Sequence, residues 1–327
     1  MVYDIYKEGY FQFNHKGEFK MLKKRPIIID TDPGIDDAAA IAIALFSEEL
    51  DVKLITTVAG NASLPKVTHN ALRLLKFLKK EVPVAAGCSE PLIRKSQDAT
   101  NIHGESGMDG FNFEEPDDHL LLKQHAVNAM HDVIMNSSEK ITLVPIAPMT
   151  NIALLIKLYP EVKNKIKEIV FMGGSASRGN KGVMSEFNIA VDPEAAKIVF
   201  KSGIPLVMAG IDVGLKAVIC LDDSNKIRSM NRTGEMLYSL FQHYRSGSMK
   251  TGLRMFDSCA VAYLLCPQMY NVVKTYIDVE LNGSMTSGCT IVDLENFLKK
   301  PANAKVCIDV DKKIFKKWFL ESIEKCI

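Results

Sequence analysis

A cluster of aspartates follows the first strongly apolar run of the chain. The run PIIID spans residues 26–30, and carboxylates then recur, which gives Asp30, Asp32, Asp36 and Asp37 within eight positions. Like charges at such spacing raise one another's pKa values unless a cation neutralises them. Oxygen ligands alone suit Ca²⁺ or Mg²⁺ rather than Zn²⁺. A plain helix N-cap would explain one of these aspartates, but the whole cluster predicts a metal site.

Further polar residues follow the other predicted strands. In an open α/β sheet, ligands bind beyond the carboxyl ends of the strands, so these residues are candidates for the same site. Each one also has a simpler interpretation as a turn residue, a strand-to-helix turn, a helix N-cap or a solvated loop residue. The candidates are Asn61, Ile146 with its backbone carbonyl between two prolines, Asn180, Glu186, Asn188, Asp257 and the loop residue His103.

Short apolar runs that alternate with helical patterns must position these side chains. Strands are predicted at 26–30, 52–59, 83–86, 141–147, 168–173 and 205–210, with helices at 36–46, 65–78, 124–136, 149–159 and 193–201. Continuous Val/Ile runs bounded by helices indicate parallel strands that are covered on both faces. We therefore predict an α/β fold with an open, mostly parallel, doubly wound sheet flanked by helices.

The chain after about residue 211 has a more mixed pattern. Helices are predicted at 222–229, 234–246, 257–265 and 311–325, and a further strand at 305–311. The runs 279–283 and 288–293 are expected to pair as a small β-hairpin. We find no repeat or Pro/Gly-rich linker, so residues 21–327 are predicted to form one domain behind an N-terminal extension of uncertain status, residues 1–20.

Composition narrows the class of protein further. The 327 residues are 47% hydrophobic and carry a formal net charge of +1, with no basic block that would favour nucleic acid or an acidic membrane surface. No apolar run approaches the ~18 residues of a membrane span. The seven cysteines are scattered and odd in number, which indicates reduced thiols in a cytoplasmic protein.

Together these pieces resemble the inosine-uridine nucleoside N-ribohydrolase family over nearly the whole chain. The most specific piece is Asp30-Thr-Asp32-Pro-Gly-Ile-Asp36-Asp37. The supporting pieces occur in the family's order: Thr57-Val-Ala-Gly-Asn61, His103-Gly-Glu-Ser-Gly107, Met149-Thr-Asn151, Phe171-Met172-Gly-Gly174, Glu186-Phe-Asn188 and Asp257-Ser-Cys-Ala-Val-Ala-Tyr263.

The resemblance implies a calcium-dependent hydrolysis of the N-glycosidic bond of ribonucleosides. It implies that Asp32, Asp37, Asp257 and the Ile146 carbonyl hold Ca²⁺, and that Asp32 is the general base on a water. The substrate-binding residues would be Asp36, Asn61 and Asn188 at the 2′- and 3′-hydroxyls, Asn180 and Glu186 at the 5′-hydroxyl, and Met172, His103 and Phe256 elsewhere in the pocket. A homotetramer or homodimer is also implied.

One position departs from the family's pattern. Members with broad base specificity commonly have His directly before the last calcium aspartate, as the acid for the departing base, and Phe256 stands there in this chain. Phe can stack on a base but cannot donate a proton. We therefore expect aromatic stacking by Phe256, with His103, His243 or Tyr244 as the proton donor.

Two other functions compete with this interpretation. A haloacid-dehalogenase-type phosphatase also has Asp-x-Asp after an apolar strand, but Gly34 occupies the place of its usual Thr or Val, and Asp36 and Asp37 have no role in it. A non-catalytic nucleoside or ribose binder would account for Phe256. All the carboxylates that hydrolysis needs are nevertheless present.

Overall fold

The computed structural model describes residues 11–13, 19–21 and 23–327. Its strands are β1 (Phe11–Phe13), β2 (Phe19–Met21), β3 (Arg25–Thr31), β4 (Leu50–Thr57), β5 (Val84–Ala86), β6 (Ile141–Pro145), β7 (Ile166–Met172), β8 (Leu206–Ala209), β9 (Val218–Ile219), β10 (Gly247–Ser248), β11 (Gly252–Arg254), β12 (Tyr270–Thr275), β13 (Ile277–Val279), β14 (Thr290–Val292) and β15 (Ala304–Val310).

Its helices are α1 (Ile35–Phe46), α2 (Leu64–Leu78), α3 (Thr100–His103), α4 (Ala126–Asn136), α5 (Thr150–Leu158), α6 (Phe187–Val191), α7 (Pro193–Phe200), α8 (Ile211–Gly214), α9 (Leu221–Arg228), α10 (Arg232–Phe241), α11 (Ser258–Leu265) and α12 (Lys312–Glu324).

Eight strands form the central sheet in the order β12-β15-β8-β7-β6-β3-β4-β5. All neighbouring pairs are parallel except β12 with β15 at one edge. The chain runs outward from β3 through β4 to β5, and it then returns to place β6 on the other side of β3. The strand order therefore reverses between β3 and β6, and the crevice at such a reversal is where open α/β sheets bind ligands.

Helices bury both faces of this sheet, which is why its strands are apolar on both sides. One core cluster packs residues of α1, α2, α10, α11 and α12 against the sheet, and a second cluster packs residues of α4, α5 and α7 against its other face. The Ala-rich α1 is buried from Ile35 to Ala44. Its start, directly after β3, is therefore held rigidly at the reversal point.

The predicted fold class is confirmed, with some differences in detail. The hairpin consists of β13 and β14, which pair antiparallel; β13 lies slightly nearer the N-terminus than predicted, and β14 lies within its predicted run. The sequence pattern did not reveal the antiparallel edge strand β12 or the small sheet β10-β11-β9. Helix α10 ends at Phe241 rather than 246, because the chain turns there into β10, where Gly247 has a φ of 106°.

The N-terminal prediction lies largely outside the described residues. Of residues 1–20, the structure places β1 and most of β2, which pair antiparallel. The division into an extension and one domain over 21–327 stays a prediction. Among the described residues, no helix combines the length and apolarity that crossing a membrane requires.

Candidate active site

The turn between β3 and α1 is fixed by its own carboxylate. Asp37 Oδ2 accepts the backbone N–H of Gly34 at 2.9 Å and the Asn61 side-chain amide at 3.1 Å. Its Oδ1 accepts the hydroxyl of Thr31, the last residue of β3, at 2.6 Å. Asp37 thus joins the end of one strand, the start of a helix and the loop after β4, and this anchors the aspartate cluster at the reversal point.

Three buried carboxylates converge at this place. Asp36, Asp37 and Asp257 each offer an oxygen, and these oxygens lie within 4.8 Å of one another. Burial, followed by the charge of Asp37, raises the pKa of Asp36 to about 7. Burial, together with the charges of Asp36 and Asp37, also raises the pKa of Asp257 well above its usual value. The cluster therefore holds like charges that a cation would stabilise.

Asp32 lies against this cluster, and its two carboxylate oxygens have different surroundings. Its Oδ2 accepts the backbone N–H of Asn61 at 2.6 Å, whereas its Oδ1 is buried with no hydrogen-bond partner among the described residues. Burial, then the neighbouring charge of Asp37, raises the pKa of Asp32 well above its ordinary value.

The residues present fit a hard divalent cation. Ligand oxygens that lie 2.3–2.6 Å from a calcium ion are at most about 5 Å apart, and the three clustered oxygens meet that limit. The unpartnered Asp32 Oδ1 is a further available oxygen. The predicted metal ligands Asp37 and Asp257 are thus brought together, and Asp36, which was expected only at the ribose, belongs to the same cluster.

Asp30 has a different environment from the rest of the sequence cluster. Its Oδ1 accepts the Thr56 hydroxyl at 2.6 Å and the Asn151 amide at 2.8 Å. Burial raises the pKa of Asp30 to about 7. Through these two contacts Asp30 connects β3, β4 and α5 beneath the site, which is a structural role. Asn151 also accepts the backbone N–H of Cys88 at 2.9 Å.

A cavity of about 310 Å³ opens beside the cluster. Most of the residues that the sequence predicted for the site line it: Asp36, Asn61, His103, Ile146, Met172, Asn180, Glu186, Asn188, Phe256 and Asp257. Asp32 and Asp37 are fully buried beneath its wall. His243 is exposed and is not part of the wall; its Nδ1 lies 3.3 Å from the Ser239 carbonyl.

One side of the cavity is built around Glu186. Its carboxylate caps α6 by accepting the N–H of Asn188 at 3.1 Å, and it also accepts the N–H of Gly174 at 3.0 Å. The Asn188 amide donates to the Met172 carbonyl at 3.2 Å and, more weakly, to the Ile146 carbonyl at 3.4 Å. Asn180 is exposed at the rim and accepts the N–H of Phe187 at 2.9 Å. The ends of β6 and β7 and the start of α6 are thereby joined.

Another part of the cavity wall is aromatic. The rings of His103 and Tyr244 lie 5.4 Å apart, and Phe256 completes the wall. The buried His103 accepts the Ile35 N–H on Nδ1 at 3.1 Å, and burial lowers its pKa to about 3, so its ring is neutral. Tyr244 faces Asp36 closely enough to lower the pKa of that carboxyl group.

Phe256 owes its position to a missing side chain. A Cβ at Gly214, in α8, would overlap the Phe256 ring and lie 2.8 Å from its Cε1 atom. The same short helix carries Asp212, which accepts the N–H of Ala176 at 2.7 Å and the hydroxyl of Ser177 at 2.6 Å. Helix α8 therefore supports the aromatic wall and also fixes the loop that leads to Asn180.

Several lining residues had no sequence prediction, among them Asp98, Asn101, Lys181, Arg245, Ser246 and Arg254. Most lie on loops, where no periodicity indicates which side chains face a cavity. Arg254 differs, because it lies in β11 and stands two residues before Phe256 in an extended segment. Side chains two apart on a strand share a face, so the spacing could have identified it.

Comparison with known proteins agrees with this geometry. The model of the family described as inosine-uridine preferring nucleoside hydrolase matches residues 27–317. A relative from Klebsiella pneumoniae (strain 342), a non-specific ribonucleoside hydrolase RihC, is 52% identical over 298 residues, which cover 91% of this chain and 98% of that protein. A protein of the same name from Salmonella enteritidis PT4 is 53% identical over 295 residues, covering 90% and 96%.

Solved structures are similar as well. The purine-preferring ribonucleoside hydrolase from Gardnerella vaginalis superimposes with a TM-score of 0.85 at 30% identity, covering 92% of this chain and 98% of that one. An inosine-guanosine nucleoside hydrolase also gives 0.85, at 27% identity, with 93% and 100% covered. The fold, the acidic cavity at the strand reversal and these matches together place the chain in the inosine-uridine preferring nucleoside hydrolase family, whose members hydrolyse N-glycosyl compounds.

Proposed function

We propose that this ribonucleoside hydrolase cleaves the N-glycosidic bond with Asp32 as the general base. The observation that carries the proposal is the buried Oδ1 of Asp32, which has no partner among the described residues and lies against the acidic cluster. A carboxylate with a raised pKa and a free oxygen is suited to take a proton from an attacking water. The N–H of Asn61 holds its other oxygen and so fixes its orientation.

Carboxylates that line the cavity can stabilise the positive charge that the reaction develops. An N-riboside breaks through a state that resembles an oxocarbenium ion, as O-glycosides do. Positive charge then develops on the sugar, and buried, fixed carboxylates stabilise such charge more effectively than water does. Asp36 and Asp257 line the cavity and can act in this way.

We assign the metal to Ca²⁺, held by Asp32, Asp37, Asp257 and the Ile146 carbonyl. When bound, the ion would orient ribose and water as a template and act as a mild Lewis acid. The all-oxygen donor set supports this assignment, and the close approach of Asp36 makes Asp36 an additional candidate ligand.

The remaining polar residues suit the ribose hydroxyls. Asp36, Asn61 and Asn188 stand near the acidic cluster and are assigned to the 2′- and 3′-hydroxyls, whereas Asn180 and Glu186 at the other rim are assigned to the 5′-hydroxyl. The Met172 sulfur lies 3.3 Å from the side-chain amide of Asn188, and Met172 also lines the pocket. Phe256 is assigned to the base, as a stacking surface.

The relatives named non-specific ribonucleoside hydrolases support a broad range of bases for this chain, both purine and pyrimidine. A pocket wall of Phe256 and Tyr244 fits this proposal, because aromatic faces stack on any base without reading its hydrogen-bonding edge. Neither histidine is favoured as a strong acid for the leaving base, because His103 is neutral and His243 is exposed.

A ribose-release assay tests the proposed function. We expect turnover of inosine, adenosine, guanosine, uridine and cytidine, its loss with a calcium chelator, and its recovery when Ca²⁺ is restored. A 2′-deoxynucleoside should react about 5- to 160-fold more slowly, since unpaired buried groups cost ~1–3 kcal/mol.

A variant of the proposed general base, Asp32, completes this test. Asp32→Asn should lower kcat by about 10²–10⁴-fold, the usual contribution of a positioned base. The matched control is Asp222→Asn, an exposed aspartate of α9, which should keep wild-type turnover. Ribose release by Asp32→Asn at the wild-type rate would disprove the assignment, and tight nucleoside binding without any turnover would favour a binder.

Two properties of the whole protein stay proposals, the first resting on the family resemblance and the second on the cysteines. We propose a homodimer or homotetramer, which sedimentation velocity would distinguish from a monomer. We also propose a cytoplasmic location, with which seven free thiols are consistent.

A further inference from the structure

The departing base needs a group that stabilises its negative charge, and the residues assigned so far do not supply one. When the C1′–N bond breaks, its electron pair stays on the base, which then needs a proton or a nearby positive charge. Phe256 offers neither. His103 is neutral, with its Nδ1 occupied by the Ile35 N–H, and Tyr244 faces the Asp36 carboxylate.

Three cationic side chains line the cavity, and two of them have other contacts. Lys181 places its Nζ 5.4 Å from the ring centroid of Phe187, on the side proposed for the ribose 5′ end. Arg245 directs a guanidinium nitrogen at the Asn101 carbonyl, 3.5 Å away. Arg254 has no ion pair and no side-chain hydrogen bond within the part of the chain that the structure describes.

The backbone fixes Arg254 at the aromatic end of the cavity. Strand β11 pairs with β9, with Arg254 opposite Val218, and the Arg254 N–H donates to the Ser246 carbonyl at 3.1 Å. The chain is extended here, so side chains alternate: Leu253 and Met255 are buried in the core, and Arg254 and Phe256 line the cavity.

Arg254 is half-buried, and a guanidinium that loses water without gaining a counter-charge costs free energy, so its position indicates a partner that arrives with the substrate. The positive charge of Arg254 also matches the charges that develop during the reaction. The carboxylates of Asp36 and Asp257 line the same cavity and favour positive charge on the sugar, whereas Arg254 beside Phe256 favours negative charge on the base.

We propose that Arg254 is a catalytic residue that binds a hydrogen-bond acceptor of the departing base and stabilises its negative charge. The inference rests on the proposed function. The C1′–N bond breaks with its electron pair on the base, the water oxygen bonds to C1′, and the water's proton passes to Asp32. The base anion leaves against Arg254 and takes a proton from solvent, as Asp32 returns its own to solvent. The sum is nucleoside plus water to ribose plus base.

Substrates with different leaving groups test this role. Nitrophenolate leaves from 4-nitrophenyl β-D-riboside without assistance, whereas hypoxanthine and uracil need it. Arg254→Gln should lower kcat/KM for inosine and uridine by about 10²–10³-fold, the usual effect of losing one fixed stabiliser of transition-state charge. It should lower hydrolysis of the nitrophenyl riboside far less. Arg254→Lys should restore part of the loss.

The control variant is Arg228→Gln, which removes an α9 guanidinium that stacks on Tyr238 of α10, outside the cavity wall. It should keep wild-type rates on both kinds of substrate. Equal losses with the nucleosides and the nitrophenyl riboside in Arg254→Gln would show a merely structural role and overturn the proposal. Unchanged nucleoside turnover would overturn it too.

Calorimetry with free hypoxanthine separates this inference from the proposed function. Arg254→Gln should bind hypoxanthine at least about tenfold more weakly than the wild-type protein does, a change that needs no turnover. Unchanged affinity would contradict the role of Arg254. Wild-type protein that binds hypoxanthine but releases no ribose from any riboside would instead contradict the proposed function.

Discussion

His103 shows how strongly the protein interior changes one side chain. Its ring is buried, its Nδ1 accepts an N–H at the start of α1, and burial lowers its pKa to about 3. Because an unfolded chain would protonate this ring near pH 6.5, the unfolded state binds more protons than the folded state between these two values. The stability that neutral His103 confers is complete above pH 6.5 and is lost as the pH falls toward 3.

We therefore predict a change in the acid response of stability for His103→Gln. Between pH 6.5 and 4, the free energy of unfolding of wild-type protein should fall more steeply than that of the variant, by at most about 1.4 kcal/mol per pH unit. Urea unfolding at several pH values measures it. His243→Gln, at an exposed histidine, serves as control, and parallel curves for His103→Gln and wild type would contradict the prediction.

The sequence predicted some site residues better than others, for a physical reason. Asp32, Asp36 and Asp37 could be recognised because a concentration of like charge needs an explanation in the sequence itself. Arg254 could not be recognised by charge, since arginines on a surface strand are common and only the structure shows that this one lacks a partner among the described residues. That Asp36 lies within the metal cluster depends on distances to Asp257, which no local spacing specifies.

At the scale of elements, α8 has a larger role than its four residues suggest. Gly214 leaves the space that the Phe256 ring occupies. Gly214→Ala should displace this ring, with a loss of stability of about 1–3 kcal/mol, typical of overpacking, and a higher KM for nucleosides. Urea unfolding and steady-state kinetics measure the two effects.

A double-mutant cycle provides the control for this prediction. Once Phe256→Ala has removed the ring, adding Gly214→Ala should cost far less than it does in the wild-type protein, because contacting residues are not additive. If Gly214→Ala costs the same in both backgrounds, the ring is not what requires glycine here.

The elements that were predicted differ from those that were missed in how they are stabilised. Strands such as β3, buried on both faces, are continuous apolar runs and were found within one or two residues. Strand β12 alternates less clearly and lies at the sheet edge, and β9 and β10 have two residues each. These short strands are formed by tertiary pairing, which leaves little trace in local sequence.

For the whole molecule, both core clusters share one central sheet. Neither face can lose its helices without exposing apolar strands, so residues 21–327 should unfold as one cooperative unit. The single tryptophan, Trp318, packs against one cluster, whereas circular dichroism reports on all helices. The two signals should give coincident transitions in urea. Separate midpoints would indicate two domains.

The strand reversal at β3 and β6 has a consequence for how the protein matures. Asp37 follows β3, near the start of the central sheet, whereas Asp257 follows β11, so the two carboxylates meet only when distant parts of the chain come together. Bringing together such distant parts of a chain is slow relative to local helix formation. A nascent or partly folded chain therefore offers only half of a cation site, and tight cation capture would signal that folding is complete.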